Sequence, residues 1–372
     1  MRYYLVLFFF MITSASAYSS ETDTISNSRR SDVIHSVGRF FTRIFGGFND
    51  IDTSYIESQH YDYTVMLQNT NTYEEYTLRG KSGQSISFAP RPTVKIGPYI
   101  GWRWIVLGYT IDVNHLHGGS NKKEFDLSIY SSMLGADLYY RKSGDNYRIR
   151  SCNVLGNDHR NSFRDLPFSG IESSIKGIDI YYIFNHKRFS YPAAFSQSTR
   201  QKRSCGSPLM GIGYTSHSIS LDYEQLENTL RDYANSNLSS SAEEIKLDSG
   251  LMFRRVEYWS ISVSGGYAYN WVFARNCLFS ASLSLAAAYK QSEGDRKLGL
   301  SARREFNFKN FNIDGIGRFG IVWNNDKWYV GASSVLHSYN YKKSRFSTSS
   351  YFGSLNIYAG VNFGKKRSYR KR

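Results

Sequence analysis

The sequence has little proline, few cysteines and few acidic residues, and each shortage narrows what the protein can be. Only 6 prolines stand against 30 glycines in 372 residues, which excludes a collagen-like chain and a proline-rich linker. After residue 17 no apolar run approaches the ~20 residues that a spanning helix needs, which excludes a helical membrane protein. Lys and Arg number 46 against 31 Asp and Glu, a formal net charge of +15 that is partly due to a basic tail at residues 364–372.

Cysteine is too scarce to build the fold. Cys152, Cys205 and Cys277 are the three cysteines, an odd number without a Cys-x-x-Cys pair, so a metal-thiolate site is not indicated. Cys152 and Cys205 fall in predicted loops. A disulfide between them and free thiols both remain open, and free thiols are the simpler interpretation.

Aromatic residues are abundant instead. The chain has 30 Tyr, 24 Phe and 6 Trp, which excludes a disordered chain.

The N-terminus predicts export. Residues 1–17 combine a charged start, an apolar run from Tyr3 to Ile12 and an Ala15-Ser16-Ala17 cleavage site, which is typical of a signal peptide. Residues 18–59 are predicted to be a periplasmic segment. Within it, apolar residues recur at helical spacing between Asp32 and Phe48 and predict a short amphipathic helix.

From Tyr61 onward, apolar and polar residues alternate, which predicts β-strands. The clearest example runs from Trp259 to Phe273, where apolar and aromatic residues alternate with Ser, Gly, Ala and Asn, and continues from Phe279 to Tyr289. These two stretches predict a long hairpin. A phase slip near Ser131 and Ser132 predicts a β-bulge within one long strand. Further strands are predicted at 61–69, 73–88, 93–102, 105–113, 145–153, 178–184, 206–221, 313–323, 327–340 and 351–363.

The polar face of these strands decides the fold class. It carries Ser, Gly, Asn and Asp rather than Lys and Glu, and aromatic residues gather at the ends of the apolar rows. That distribution is expected where the apolar face meets lipid and the aromatic rings lie at the headgroups. A sheet in hydrocarbon must close, because lipid offers its edge no hydrogen bonds. The sequence therefore predicts an all-β fold, a transmembrane antiparallel β-barrel of about 12 strands (10–14) over residues 60–363.

Three segments are predicted as loops, at 154–176, 187–205 and 222–249, with a short helix from Glu224 to Tyr233.

The last strand alternates up to Phe363 and resembles the assembly signal of bacterial outer-membrane barrels, so the barrel-assembly machinery is a predicted partner. The signal residues are Tyr358, Gly360, Val361 and Phe363. The basic tail that follows is predicted to lie on the periplasmic side.

Several passages together resemble a Bacteroidetes family catalogued as domain of unknown function 4421. They are Asp52-Thr53-Ser54-Tyr55-Ile56-Glu57, Gly97-Pro98-Tyr99-Ile100-Gly101-Trp102-Arg103-Trp104-Ile105, Leu134-Gly135-Ala136-Asp137-Leu138-Tyr139-Tyr140-Arg141 and Phe189-Ser190-Tyr191-Pro192-Ala193-Ala194-Phe195-Ser196-Gln197-Ser198. The resemblance covers roughly residues 50–363. It implies an outer-membrane β-barrel of unassigned activity and supplies no catalytic or binding residues.

Candidate site residues lie on the inward faces of the predicted strands. These carboxylates would shape a cation-preferring pore, form a catalytic acid pair or, as we favour, pair with inward Arg or Lys such as Arg318. They are Asp112, Asp126, Asp137 and Asp179. His115 and His117 share a strand face, but no carboxylate or cysteine completes a metal set, so no metal or cofactor is predicted. The basic loop around Arg200, Lys202 and Arg203 would fold inward as a constriction, bind lipid phosphates or, as we expect, simply be solvated.

The predicted function is that of a non-enzymatic barrel in the bacterial outer membrane, either a pore or a structural barrel, with lipids as partners and no nucleic acid. Two alternatives remain. One is a barrel enzyme acting on lipid or an envelope polymer at a rim site, although Gly-x-Ser-x-Gly, His-Glu-x-x-His and the phosphate-binding loop motif are absent. The other is an adhesin or partner-docking barrel that works through loops such as 222–249.

Overall fold

The computed structural model describes residues 51–102, 105–113, 122–143, 146–154, 163, 165–237, 245–292, 310–342 and 346–369. The predicted signal peptide, the predicted N-terminal helix and the pair His115 and His117 lie outside these residues.

Strands dominate the described residues. In chain order they are β1 Ile56–Ser58, β2 Tyr61–Gly80, β3 Ser85–Pro90, β4 Thr93–Trp102, β5 Ile105–Gly108, β6 Ile111–Asp112, β7 Lys123–Tyr130, β8 Leu134–Lys142, β9 Tyr147–Asn153, β10 Leu166–Pro167, β11 Ile171–Ile183, β12 Thr199–Gln201, β13 Cys205–Leu221, β14 Arg255–Ala274, β15 Cys277–Ser292, β16 Phe311–Asn324, β17 Trp328–Lys342 and β18 Phe346–Lys365. Helices α1 (Pro192–Phe195) and α2 (Tyr223–Asn237) and a 3-10 turn, Arg367–Tyr369, complete the described elements.

The long strands form one curled antiparallel wall. From β7 the order is β8, β11, β13, β14, β15, β16, β17, β18, β2 and β4, and β4 pairs in turn with β5 and β6. If β5 and β6 are counted as one interrupted strand, the wall has twelve strands in the part of the chain that the structure describes. This confirms the predicted all-β fold and its strand number. The last strand pairs with the first long one, from Lys365 beside Tyr61 to Phe346 beside Gly80, and a Lys95–Glu124 ion pair joins β4 to β7.

Side-chain exposure on this wall is the reverse of that in a soluble protein. On the outer face Ile212 is 61% exposed and Leu283 is 59% exposed. On the inner face Ser280 and Asn270 are fully buried. Exposed aliphatic side chains of this kind are typical of the lipid-facing side of a transmembrane β-barrel, and we call this outer band the lipid-facing belt. Among the described residues, no helix is long and apolar enough to cross a membrane.

Aromatic residues bound this lipid-facing belt on β14. Trp259 lies near one end of the strand and Trp271 near the other. At ~3.3 Å per residue the twelve steps between them cover about 40 Å of strand, or about 28 Å of depth at a tilt of about 45°. This depth matches the apolar band of about 25 Å that outer-membrane barrels present to lipid.

The two ends of the wall differ in the lengths of their connections. At one end, which we call the turn end, β7–β8, β14–β15 and β16–β17 are joined by two or three residues each, and β2 begins and β18 ends there. At the other, the loop end, residues 222–254 join β13 to β14 and residues 293–310 join β15 to β16, although only three residues join β17 to β18.

Three local predictions need correction. The phase slip near Ser131 and Ser132 is a hairpin turn between β7 and β8, in which the Ser131 N–H donates to Leu134 O at 2.9 Å, so the predicted bulge is wrong. The strand predicted at 73–88 is the second half of β2 followed by β3. The loop predicted at 154–176 contains the start of β11, because polar residues such as Glu172 and Lys176 lie on its outer face beyond the apolar belt.

A compact cap closes the loop end. Strand β3 pairs with the end of β2 and with β9, and helix α2 packs Leu226, Leu230 and Ala234 onto this sheet at three- and four-residue spacing. Helix α2 confirms the short helix predicted within the 222–249 segment.

All three cysteines are free, so no bridge joins Cys152 to Cys205. Burial of Cys152 in the cap raises its thiol pKa to about 12.

Tyrosine rings pack over glycines on neighbouring strands, which accounts for part of the demand for both residues. Gly177 lies opposite Tyr139 in the β8–β11 register, and a Cβ at Gly177 would lie 2.3 Å from the Tyr139 ring. Gly135 and Tyr181, four residues away along each strand, repeat the arrangement in the opposite direction. An aromatic ring packed over a strand glycine fills the space beside the glycine, which has no side chain of its own.

We expect Gly177→Ala to destabilise the barrel by about 1–3 kcal/mol, because Tyr139 is buried and cannot move aside. The measurement is urea unfolding in detergent, followed by heat-modifiable gel migration. The control is Gly265→Ala on the lipid-facing side, where nothing lies within 4 Å of the added Cβ. Equal unfolding midpoints for the two variants would contradict the packing described here.

Candidate functional site

The connection between β11 and β13, residues 184–204, turns into the lumen and fills it at the turn end. We call it the plug segment. Phe189, Tyr191 and Ala194 in it are fully buried. Pro192 occupies the first turn of α1, where its missing N–H leaves no helix hydrogen bond unmade. The sequence Tyr191-Pro192-Ala193-Ala194 therefore forms a short helix with small residues facing the wall.

Side chains of the wall hold the plug segment by hydrogen bonds. The Asn270 side-chain amide donates to Ser190 O at 2.8 Å, and Gln197 Nε2 donates to the Tyr358 hydroxyl at 2.7 Å. The Tyr358 hydroxyl in turn donates to Ala194 O at 3.1 Å. A Cβ at Gly320 would lie 3.5 Å from Ala194, so β16 is close to the helix. The plug segment is thus anchored from several strands of the wall.

The basic residues of this segment form polar contacts at the turn end. Arg200 forms an ion pair with Glu57 and donates to Asn276 Oδ1 at 2.9 Å. Lys202 Nζ donates to Thr53 O at 3.0 Å. Strand β12 of the plug segment pairs with β1, which places residues 56–58 and 199–201 together at the turn end. Lys202 and Arg203 are exposed, as expected of a solvated basic loop, whereas Arg200 is half-buried because the pairing of β12 with β1 holds it against Glu57 and Asn276.

A charged layer crosses the lumen beyond the plug segment. Arg318 on β16 forms an ion pair with Asp137 on β8, and both side chains are almost completely buried. Ser128 Oγ donates to the same carboxylate at 2.5 Å. The Arg318 guanidinium carbon lies 4.6 Å from the centre of the Tyr181 ring, a cation–π distance. One arginine therefore links opposite walls of the barrel.

Asp179 belongs to the same layer. It lies opposite Asp137 in the β8–β11 register and is buried. Two carboxylates in directly opposed positions repel each other, and Arg318 offsets that repulsion.

The other predicted inward carboxylates lie nearer the loop end. Asp126 receives Arg141 Nη2 at 2.9 Å, and Asp112 is on β6, half-buried and opposite Lys95. These two therefore do not join the Asp137–Asp179 layer.

A second buried ion pair was not predicted from the sequence. Lys290 on β15 lies 2.7 Å from Asp314 Oδ1 on β16, and both side chains are buried. The Asn340 N–H also donates to Asp314 Oδ1, at 2.9 Å. Alternation places Lys290 and Asp314 on the face of their strands that carries small polar residues, but it does not show that the two residues meet.

Stacked rings fill the remaining lumen between the two ion pairs and the cap. Phe352 packs on His337 with ring centres 4.8 Å apart, and Tyr258 stacks on Tyr341 at 4.2 Å. His217 stacks on the other face of Tyr258 at 4.6 Å. Among the described residues, no group of three or more His, Cys, Asp or Glu side chains is placed to hold a metal ion.

The predicted assembly residues divide between the two faces of β18. Tyr358 and Gly360 face the lumen, and Tyr358 is held by the plug segment. Phe363 is exposed on the lipid side and stacks on Tyr63 of β2 at 5.5 Å. Val361 lies opposite Val65 in the same β2–β18 ladder.

We expect Arg318→Met to lower the free energy of unfolding by about 3–5 kcal/mol, because it leaves Asp137 buried beside Asp179 without a cation. Urea titration in detergent micelles measures the change. Arg254→Met, at an exposed position outside the wall, should change it by at most about 0.5 kcal/mol. The double variant Asp137→Asn/Arg318→Met should recover part of the loss, and a stable Arg318→Met single variant would contradict this account.

Comparison with solved structures gives weak likenesses. The chain is similar to the outer membrane protease OmpT from Escherichia coli, with 6% identity, 81% of this chain and 97% of that chain covered, and a TM-score of 0.31. It is similar to the transport unit of the autotransporter AIDA-I from Escherichia coli, with 9% identity, 81% and 90% covered, and a TM-score of 0.30. It is similar to the toluene transporter TodX of P. putida, with 8% identity, 82% and 91% covered, and a TM-score of 0.21. At these values their activities are not transferred to this chain.

A search of the curated proteins finds no relative. A family profile, by contrast, matches residues 50–363, which span the described wall, cap and plug segment up to Phe363. The chain belongs to the family described as domain of unknown function (DUF4421).

Proposed function

We propose that this protein is a non-enzymatic structural barrel of the bacterial outer membrane, with a lumen that is filled rather than open. The observation that carries the proposal is the Asp137–Arg318 ion pair, which is buried where the water of a pore would lie. The predicted signal peptide and the lipid-facing belt support the outer membrane as its location.

The filling involves three successive layers. The plug segment occupies the turn end, where Ala193 and Ala194 are buried against the wall. The ion pairs and stacked rings occupy the middle. The cap core occupies the loop end, where Phe88 and Leu226 are fully buried. A solute would have to displace all three layers, so we favour the structural barrel over the pore.

The enzyme alternative receives less support. The opposed carboxylates Asp137 and Asp179 are the residues that would form an acid pair, yet both are buried and Arg318 binds one of them. A substrate therefore has no path to them in this conformation.

A second candidate function is partner docking at the loop end. Helix α2 buries Leu226, Leu230 and Ala234 in the cap and keeps Glu224 and Asp232 on its exposed face. A helix fixed on the cap in this way offers a partner a rigid surface.

Planar-bilayer recording tests the proposal. We expect the purified, refolded protein to give no steady conductance steps, because the plug segment, the buried ion pairs and the cap lie one after another along the lumen. A variant with residues 186–203 replaced by a short Gly-Ser turn, combined with Asp137→Ala and Arg318→Ala, should conduct and so shows that the assay detects an opened lumen. Regular steps from the unmodified protein would contradict the filled barrel.

Lipid turnover tests the enzyme alternative separately. We expect no release of fatty acid from added phospholipid. Release that Ser or His substitutions at a barrel rim abolish would favour the enzyme instead.

A further inference from the structure

The outer wall carries a polar groove at the loop end, just beyond the lipid-facing belt. It has a volume of about 570 Å³, which is within the range of small-molecule sites. Its floor consists of serines of β11 and β13, among them Ser174, Ser216 and Ser218, and longer side chains of β8, β11 and β14 rise around them. The groove therefore exists because short residues lie between long ones on one face of the sheet.

Strand register fixes the height of the groove on the wall. Tyr214 lies opposite Ile178 and Ile261, which belong to the lipid-facing belt. Two residues further along β13, Ser216 lies between Lys176 and Trp259. The apolar belt thus ends at the lower edge of the groove, and the groove itself lies at the depth of the lipid headgroups.

Three lysines gather on this part of the outer face. Lys123 lies directly opposite Lys142 in the β7–β8 register, and Lys176 is diagonal to Lys142 across β8 and β11. Directly opposed cross-strand positions bring Cβ atoms within about 5 Å, and diagonal ones within about 8 Å. Among the described residues, none of the three has a carboxylate within ion-pair distance. Like charges at these positions repel each other, so an anion between them stabilises the wall.

The acidic residues of the groove do not cancel this charge. Glu257 forms an ion pair with Arg255 on the far side of the groove. Glu172 lies diagonal to Lys142, at the same register distance as Lys176 on the other side, and so offsets part of the charge. Lys123, Lys142 and Lys176 outnumber this one carboxylate, so their side of the groove keeps a positive charge.

We infer that this groove binds the phosphate headgroup of a membrane lipid, with Lys142 and Lys176 contacting the phosphate and the acyl chains lying along Ile178 and Ile261. Lysine is a common phosphate ligand, and its long stem can follow apolar surface while its ammonium group remains at the headgroups. The aromatic rings of Tyr140 and Trp259 flank the groove at the level where lipid glycerol groups lie. Continuity with the apolar belt favours a lipid over a free anion.

The test measures lipid binding to the folded full-length protein in detergent by native mass spectrometry. Phosphatidic acid is the probe, phosphatidylcholine is the comparison lipid and inorganic phosphate is the competitor. We expect the unmodified protein to prefer phosphatidic acid. We expect Lys142→Gln/Lys176→Gln to weaken that binding by about tenfold or more, since each lysine near an anionic headgroup contributes about 1 kcal/mol.

The matched control removes the same charge elsewhere at the loop end. Lys81→Gln/Lys342→Gln changes two exposed lysines outside the groove and should leave phosphatidic acid binding within about twofold. Ser216→Tyr fills the groove floor without changing its charge and should weaken binding as well. It provides an independent test if the lysine variant folds poorly.

Three results would overturn the inference. The first is equal binding of phosphatidic acid by the unmodified protein and the Lys142→Gln/Lys176→Gln variant. The second is equal loss in the Lys81→Gln/Lys342→Gln control, which would indicate general charge attraction. The third is displacement of the lipid by an equal concentration of inorganic phosphate, which would show that the acyl chains contribute nothing.

Discussion

The structure depends on one constraint: hydrocarbon cannot hydrogen-bond the peptide groups of a strand edge. The β2–β18 ladder, which runs from Tyr61 to Gly80, meets this constraint by joining the first long strand to the last. Among the described residues no ladder joins β7 to β4, β5 or β6, and the Lys95–Glu124 ion pair bridges that place. Successive side chains of each strand lie on opposite faces of the wall. Ile212, Val263 and Leu283 lie on the lipid side, and serine, asparagine and glycine residues lie on the inner side. The reversed exposure pattern and the aromatic rows follow from closure in lipid.

Closure creates an interior that must itself be filled or hydrated. An eight-stranded barrel is filled by its own side chains, and one of sixteen strands leaves an aqueous channel. A twelve-stranded wall lies between these cases, and small inward residues such as Ser280 and Ser282 widen its lumen further. The plug segment and the large side chains of Arg318, Lys290 and Tyr258 occupy this space. Burial of charges is costly, which explains why Arg318 and Lys290 each have a carboxylate partner.

The wall could be predicted from the sequence because its signal is local and repeated. Alternation over Trp259–Phe273 is visible residue by residue, and its period fixes which side chains share a face. The hairpin at Ser131–Met133 was missed because a turn without glycine or proline shifts the phase just as a bulge does. Inward folding of the loop that forms the plug segment was one alternative from the sequence but not the one expected, because it depends on partners distant in sequence, such as Asn270 and Tyr358. Likewise, the Lys290–Asp314 pair and the lysine-lined groove depend on strand register, which alternation alone does not fix.

Spin-label accessibility along β14 tests the central claim most directly. Labels would be placed one at a time at Val263, on the outer face, and at the adjacent Ser262, on the inner face, in a protein whose free cysteines are replaced by serine. We predict that in lipid bilayers the Val263 label is relaxed strongly by oxygen and weakly by a water-soluble nickel complex, as expected for a side chain among acyl chains. Strong relaxation of Val263 by nickel, with Ser262 preferring oxygen, would contradict the outward orientation of the apolar face.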